Sequence, residues 1–410
     1  MKTSTNKMIC EEETMKRNFV YFSISLIIMF TMLAGSTTST AQTIQTAAEP
    51  EVDSAVLLWR QVNQNGFGDP MNEGVLALEI FNDQLYAASD NYQIGAKVWR
   101  METNGGWTAV SEPGFGSAYG NNNAAIPDMT TFNGNLYAGT AWHNNTGQMW
   151  RTPDGMTWSK TVADGFGYAN NLGVSPFGTF EGFLYAGTYN PTDGLDIWRS
   201  ATGNLDDWHN VVTGGKGNPN NELATSFIEY GGYFYAGIEN HTNGVEIWQT
   251  DNGTNWTTVK SGGFGDSHNT QTGGMTIFGG YLYVGTYNDV TGAQLFRSTN
   301  GTTWVPVIEN GFGDVKNIKI EMVNAWNGNL YAGTQNNDTG IEIWQSSDGL
   351  IWKQINSDGF HDKYNTNVLW NSSTIEYHEN LYIGTDNKNT GGEIWQRYFG
   401  YPVYLPVVKR

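Results

Sequence analysis

The chain has 410 residues, with 40 Asp/Glu against 21 Lys/Arg and a formal charge of −19. That balance, with no basic cluster beyond the N-terminus, excludes the footprint that nucleic-acid phosphates require and suits anionic lipid poorly; its simplest role is to keep a Gly/Asn-rich protein soluble. The 51 Gly, 16 Trp, 21 Tyr and 19 Phe argue against disorder and against helices, and fit many short strands joined by tight turns.

In chain order, residues 1–41 read as a signal peptide. Lys16 and Arg17 precede the apolar run FVYFSISLIIMFTMLA at 19–34, and Ser39 and Ala41 offer a small-x-small cleavage site before Gln42. The run is short for a membrane span and contains Ser and Thr. The mature protein is therefore expected to be secreted, periplasmic or at the cell surface, with no span left after cleavage. The only cysteine, Cys10, falls in the removed segment, so the mature chain can form no disulfide and no Cys-based metal site. Neither HExxH nor an EF-hand loop occurs, and the histidines show no metal spacing; no metal and no cofactor are expected. Residues 42–53 form a short linker.

From residue 54 onward the chain repeats. A Leu/Phe-Tyr pair starts at 85, 136, 184, 234, 282, 330 and 381, at intervals of 48–51 residues. An aromatic residue precedes each pair by four positions, another closes each G-x-x-I-W-like phrase (Trp99, Trp150, Trp198, Trp248, Phe296, Trp344, Trp395), and a third series runs Trp59, Trp107, Trp158, Trp208, Trp256, Trp304, Trp352. Seven copies of this length are propeller-sized. Each copy reads as strands A (as in MTIF, 275–278), B (LYVGT), C (IEIW) and D (W-x-x-V), linked by Gly-rich and Asn-Gly or Asp-Gly hairpin turns. The first phrase, LLWRQV at 57–62, is a strand D without its A, B and C; the last, GGEIWQ at 391–396, is a strand C without its D. The expected fold is thus all-β: a seven-bladed β-propeller of four antiparallel strands per blade over 54–397. Strand 54–62 should complete the last blade on 391–397 and remove the exposed edges. A tail, 398–410, follows, and a monomer is expected. Core packing explains the recurring aromatics.

The C–D turns RTPDGMTW (151–158), SSDGLIW (346–352), STNGTTW (298–304) and TDNGTNW (250–256) resemble the Asp-box, or BNR, repeats of sialidase-like β-propellers, one residue shorter than the usual box. The resemblance implies a blade type in which the acidic residue holds the turn and the Trp plugs between sheets. It does not imply sialidase activity. That family grips its substrate with three converging arginines, whereas most of the arginines here, Arg100, Arg151, Arg199 and Arg297, recur at one outer-strand position, where an ion pair or an aromatic cover is the expected job.

Consecutive strands alternate direction, so the D–A and B–C loops share one face. The D–A loops place Asn72, Asn171, Asn221, Asn269, Asn317 and Asn365 six residues after a key Gly, with Asn121 as the shifted counterpart in copy two. The B–C loops read GT-x-N-x-x-x-G, giving Asn91, Asn190, Asn240, Asn288, Asn336 and Asn387. Asn beside Gly commonly shapes loops. The alternative is a ring of amides for sugar hydroxyls, with Tyr189 and Tyr287 as platforms. Breaks in the repeat mark where one special site can lie: Trp142 and His143 in copy two, Glu222 and Glu239 in copy four, Lys316, Lys319 and Glu321 in copy six, and extra residues before strand A in copies two and seven, including Asp128 and 368–373. The leading expectation is a non-catalytic binding protein for glycan or another extracellular polymer. The alternatives are a glycoside-active enzyme with an axial acidic pair and a protein-docking scaffold.

Overall fold

The computed structural model describes residues 56–116, 123–141, 146–368 and 371–400. The expected signal peptide, the linker, Trp142, His143 and the tail from 401 lie outside them. The account below concerns the unit Ser54–Arg410.

The described chain is all-β. Strands fall into consecutive antiparallel A–B–C–D sets at the repeat spacing. The first comprises Val75–Phe81, Gln84–Ser89, Lys97–Met101 and Trp107–Ala109. The fourth comprises Leu223–Tyr230, Tyr233–Glu239, Glu246–Thr250 and Thr257–Lys260. The A–B hairpin closes on a two-residue turn with both residues left-handed, as at Gly231 and Gly232 or at Asn82 and Asp83. Such turns match the twist of paired strands, which is why Gly, Asn and Asp recur there.

No set can bury both of its faces alone. The strand B tyrosines Tyr86, Tyr137, Tyr185, Tyr235, Tyr283 and Tyr331 are almost wholly buried, and each lies in a cluster that joins one set to a neighbour. One cluster packs Phe81 and Tyr86 of the first set against Ile126 and Leu136 of the second; another packs Trp326 and Tyr331 of the sixth against Leu381 and Ile383 of the seventh. A further cluster packs Tyr382 and Ile394 of the last set against Val75 and Leu85 of the first.

There the first and last described strands meet. Val56–Gln61 pairs antiparallel with Ile394–Gly400, from Val56↔Gly400 to Gln61↔Trp395. The strand runs three residues past the expected boundary at 397, because Val56–Leu58 give residues 398–400 backbone partners. Trp59 occupies the strand D tryptophan position. Its ring meets Phe360 edge-on at 5.2 Å, and its Nε1 donates to the carbonyl of Ile355 at 3.2 Å. Trp107 donates to the carbonyl of Val62 at 3.0 Å, so the N-terminal strand is held from both sides.

The C–D turns are closed by one side chain each. Asp154 Oδ1 accepts from the amides of Met156 and Thr157 at 2.9 and 2.7 Å, and Asp348 does the same with Leu350 and Ile351. These bonds hold both carboxyls below the usual range. The outer arginines cover aromatics, Arg199 over Phe183 and Arg297 over Tyr281, both at 4.3 Å.

The GFG phrase hides a trade. Phe67, Phe115, Phe166, Phe264, Phe312 and Phe360 all have positive φ, which costs a non-Gly residue about 1 kcal/mol. The conformation lays each ring flat on the strand C aromatic, as Phe67 on Trp99 at 4.4 Å and Phe360 on Trp395 at 4.2 Å. In the fourth copy Lys216 takes the same backbone and sets its ammonium over Trp248 at 4.6 Å.

Two outcomes check this packing. In urea denaturation Trp59→Ala and its counterpart Trp352→Ala should each cost about 3 kcal/mol; a negligible effect at Trp59 alone would mean that the first strand carries no load. Lys216→Phe, which restores the stacked ring, should raise stability by about 1 kcal/mol in the same measurement.

Candidate functional site

The loops on the D–A and B–C face are set by their asparagines. In each D–A loop the Asn Nδ2 donates to the carbonyl of the key Gly at 2.8–3.1 Å. In copy two Asn123 fills this role; the expected Asn121 lies outside the described residues. The B–C asparagine then donates to the D–A asparagine, as Asn190 to Asn171, Asn240 to Asn221, Asn288 to Asn269, Asn336 to Asn317 and Asn387 to Asn365, at 2.8–3.1 Å. Its Oδ1 accepts two backbone amides of its own turn, for Asn240 those of Thr242 and Asn243. All of these asparagines are buried. The expected amide ring for ligand therefore gives way to an internal lock: Asn190, Asn240, Asn288, Asn336 and Asn387 spend their polar groups on the scaffold. The lock brings loop backbones together so tightly that a Cβ on Gly340 would sit 2.7 Å from the Cα of Gly359. Gly391 and Gly66 repeat this contact where the first and last described strands meet, at 2.6 Å.

What the lock leaves to vary is the residue just before most B–C asparagines (Asp90, Tyr189, Glu239, Gln335, Asp386) and the residue two after several D–A asparagines (Leu223, Gln271, Lys319, Asn367). Antiparallel pairing puts them side by side, as in Leu223↔Glu239 and Lys319↔Gln335. They line a cavity of about 410 Å³, within the usual range for small-molecule sites. Every set contributes. The charged lining is Asp90, Glu239, Glu321 and Asp386 against Lys319 and Lys388; Tyr92, Tyr189, Gln271, Gln335 and Asn367 add aromatic and amide surface. Lys319 Nζ pairs with Glu321 Oε1 at 2.7 Å, both buried, and Asn367 Nδ2 donates to Glu321 Oε2 at 3.0 Å. Asp90 Oδ1 accepts the Gly74 amide at 2.6 Å. Burial pushes the Asp90 carboxyl up to about 7 and that of Asp386 up to about 6.

Beneath the cavity runs the turn Asn371–Ser373. Ser372 Oγ donates to the carbonyls of Leu76 and Pro127 at 3.2 and 2.9 Å, two residues that line the cavity above. A smaller void of about 170 Å³ lies on the far side. There Asp128 accepts the Phe177 amide at 2.6 Å, and burial pushes it up to about 7. The extra residues of copies two and seven thus build the floor.

Of the expected site residues, Tyr189 and Glu239 line the cavity. Tyr287 is half-buried and does not. Lys316 lies outside the cavity and faces Asp338 at 3.6 Å, whereas Lys319 and Glu321 are inside. Asp90, Tyr92, Gln335, Asp386 and Lys388 went unnoticed, although Asp90, Gln335 and Asp386 hold the same pre-asparagine place that pointed to Tyr189 and Glu239. Glu222, Glu239 and His241, which no sequence spacing had linked, bring their ligand atoms within 4.8 Å of one another. His241 Nε2 lies 2.7 Å from Glu239 Oε1, and this hydrogen bond raises the imidazole pKa.

No family model and no curated protein matches the chain. Solved structures do. Puromycin hydrolase aligns with a TM-score of 0.53 at 10% identity over 82% of this chain and 54% of its own length. The extracellular domain of a hybrid two-component system from B. thetaiotaomicron gives 0.53 at 13% over 81% and 40%. The WD40 β-propeller domain of Doa1 gives 0.50 at 11% over 84% and 97%. The scaffold is of the β-propeller type. At such identities the likeness concerns fold alone, and the chain spans only about half of the first two.

Titration of the interior yields a stability prediction. Burial pushes Glu79 up to about 8, Asp90 and Asp128 to about 7 and Asp386 to about 6. The folded chain thus holds protons that unfolded carboxylates release near pH 4. These groups favour folding most below that pH, and the contribution is lost as pH rises through the folded values. The Tm should fall between about pH 5 and about pH 8, and Asp128→Asn should flatten the fall; a Tm that rises over this interval would contradict the assignment.

Proposed function

We propose that the chain is an exported, non-catalytic, seven-bladed propeller of the Asp-box type, closed by its own N-terminal strand, and that it binds a glycan in the central cavity. The blade count rests on the repeat and on the series of apolar clusters; the Asp-box kinship rests on Asp154 and Asp348 closing their turns. The observation that carries the binding reading is the cavity lining: carboxylates and amides at the end of strand B or the start of strand A, with Tyr92 and Tyr189 among them. Hydroxyls of a sugar pair with such acceptors, and its flat faces suit aromatic rings. The recurring arginines contribute nothing to the lining, in keeping with a ligand unlike a sialidase substrate.

A second reading has its own support. Asp90 and Asp386, buried and with raised pKa values, are protonated in part near neutrality, as a general acid for glycoside cleavage must be.

A glycan array should show saturable binding that Tyr189→Ala lowers roughly tenfold while circular dichroism stays unchanged. Sugar release from a polysaccharide panel, abolished by Asp90→Asn, would favour the enzyme. Binding unaffected by Tyr189→Ala and Asp90→Asn would place the ligand elsewhere.

A further inference from the structure

The cavity is not evenly satisfied. Asp386 is 7% exposed and lines it, yet among the described residues its carboxylate receives no hydrogen bond. Asn367, 4% exposed, spends Nδ2 on Glu321 and leaves Oδ1 buried without a partner. Asp90, 4% exposed, has one oxygen on the Gly74 amide and no described donor on the other. These three residues are neighbours. The Asp386 amide donates to the Asn367 carbonyl at 2.9 Å, the Asp90 amide donates to the Gly74 carbonyl at 3.2 Å, and Gly74 bridges to Asp386. Two carboxylates short of donors, with Asn367 beside them, thus line the cavity where the seventh set meets the first. A buried acceptor left unpaired costs about 1–3 kcal/mol, and a buried charge costs more.

Resting on the reading of the cavity as a binding cup, we propose that its ligand is a small hydroxylated primary amine, an amino sugar in kind, whose ammonium group seats against Asp90, Asp386 and Asn367. An ammonium group brings three donors, enough to serve both carboxylates. Tyr92 and Tyr189 line the same space, and tyrosine faces attract cations. Lys388 stands on the same loop and lowers the pKa of both carboxyls without forming an ion pair with either among the described residues. Lys319 is held by Glu321. Gln271 and Gln335 make no side-chain hydrogen bond among the described residues and remain for hydroxyls. A bare metal ion fits less well, since the cavity is many times an ion's volume.

Proton linkage gives the proposal a signature that a purely structural role lacks. The groups acting on Asp90 and Asp386 are each other, Glu73, Glu321 and Lys388, with Tyr92 beside them. A cation favours both carboxylates in their charged form. Its binding must therefore release protons at about pH 6.5, and affinity must rise from about pH 5 to about pH 7.

Titration calorimetry on the mature chain decides the matter, with D-glucosamine, N-acetyl-D-glucosamine, D-glucose, ethanolamine and calcium chloride as separate probes in two buffers of different ionisation heat. The expected result is glucosamine bound at least roughly tenfold more tightly than either neutral sugar, with proton release. Asp386→Asn should lose that margin with its Tm kept. Binding of ethanolamine but no sugar supports the ammonium seat and sinks the glycan reading. Equal affinity for glucosamine and glucose overturns the seat and leaves the glycan reading standing. Binding of calcium alone, or of none of the probes, overturns it as well.

Discussion

Everything at the cavity depends on one hydrogen bond repeated along the chain, from an asparagine amide to the carbonyl of a glycine six residues earlier, or nine in copy two. It is buried, so water cannot compete for it. It closes the D–A loop, offers its Oδ1 to the B–C asparagine, and so fixes where strand A begins and strand B ends. Asp90, Tyr189, Glu239, Gln335 and Asp386 each stand next to one of these asparagines; Leu223, Gln271, Lys319 and Asn367 each stand two residues beyond one. Placement is thus uniform and only side-chain chemistry varies. A repeat fold can change what its centre recognises without touching the bonds that hold the centre together.

The second dependence is closure. Residues 54–410 contain no cysteine, so no disulfide fastens this unit, and its first and last described strands pair instead. Trp59 enters the strand D position of the last set, Phe360 and the Ile355 carbonyl receive it, and Gly391 meets Gly66 as Gly340 meets Gly359. The acceptors at Asp90, Asp386 and Asn367 lie beside this same junction, so the part of the cavity richest in unpaired charge is bounded by the first and last sets of the repeat.

Much of this architecture was legible in the residues. Period, strand order, hairpin turns and the pairing of the first and last strands all leave local marks, because a strand with a two-residue left-handed turn admits few residue types. The B–C asparagines were legible as loop formers, but their availability to ligand was not; burial is a property of what the next set covers. The breaks Glu239, Lys319 and Glu321 did lead to the cavity. Asp90 and Asp386 escaped notice because an acidic residue beside Asn looks like turn chemistry until the loops of other sets are seen beside it. His241 joins Glu222 and Glu239 across two different loops, so no sequence spacing could announce the cluster. The left-handed phenylalanines were visible as GFG, but only the stacked ring explains why Phe tolerates a glycine-like backbone.

The turn at Asn371–Ser373 has a consequence for both voids. Ser372 Oγ holds the carbonyls of Leu76 and Pro127, which line the cavity, while Asn371 and Ser372 themselves line the smaller void. One short turn from the last set therefore ties together backbone from the first and second, 296 and 245 residues away in the chain, and a change in it is felt by both voids at once.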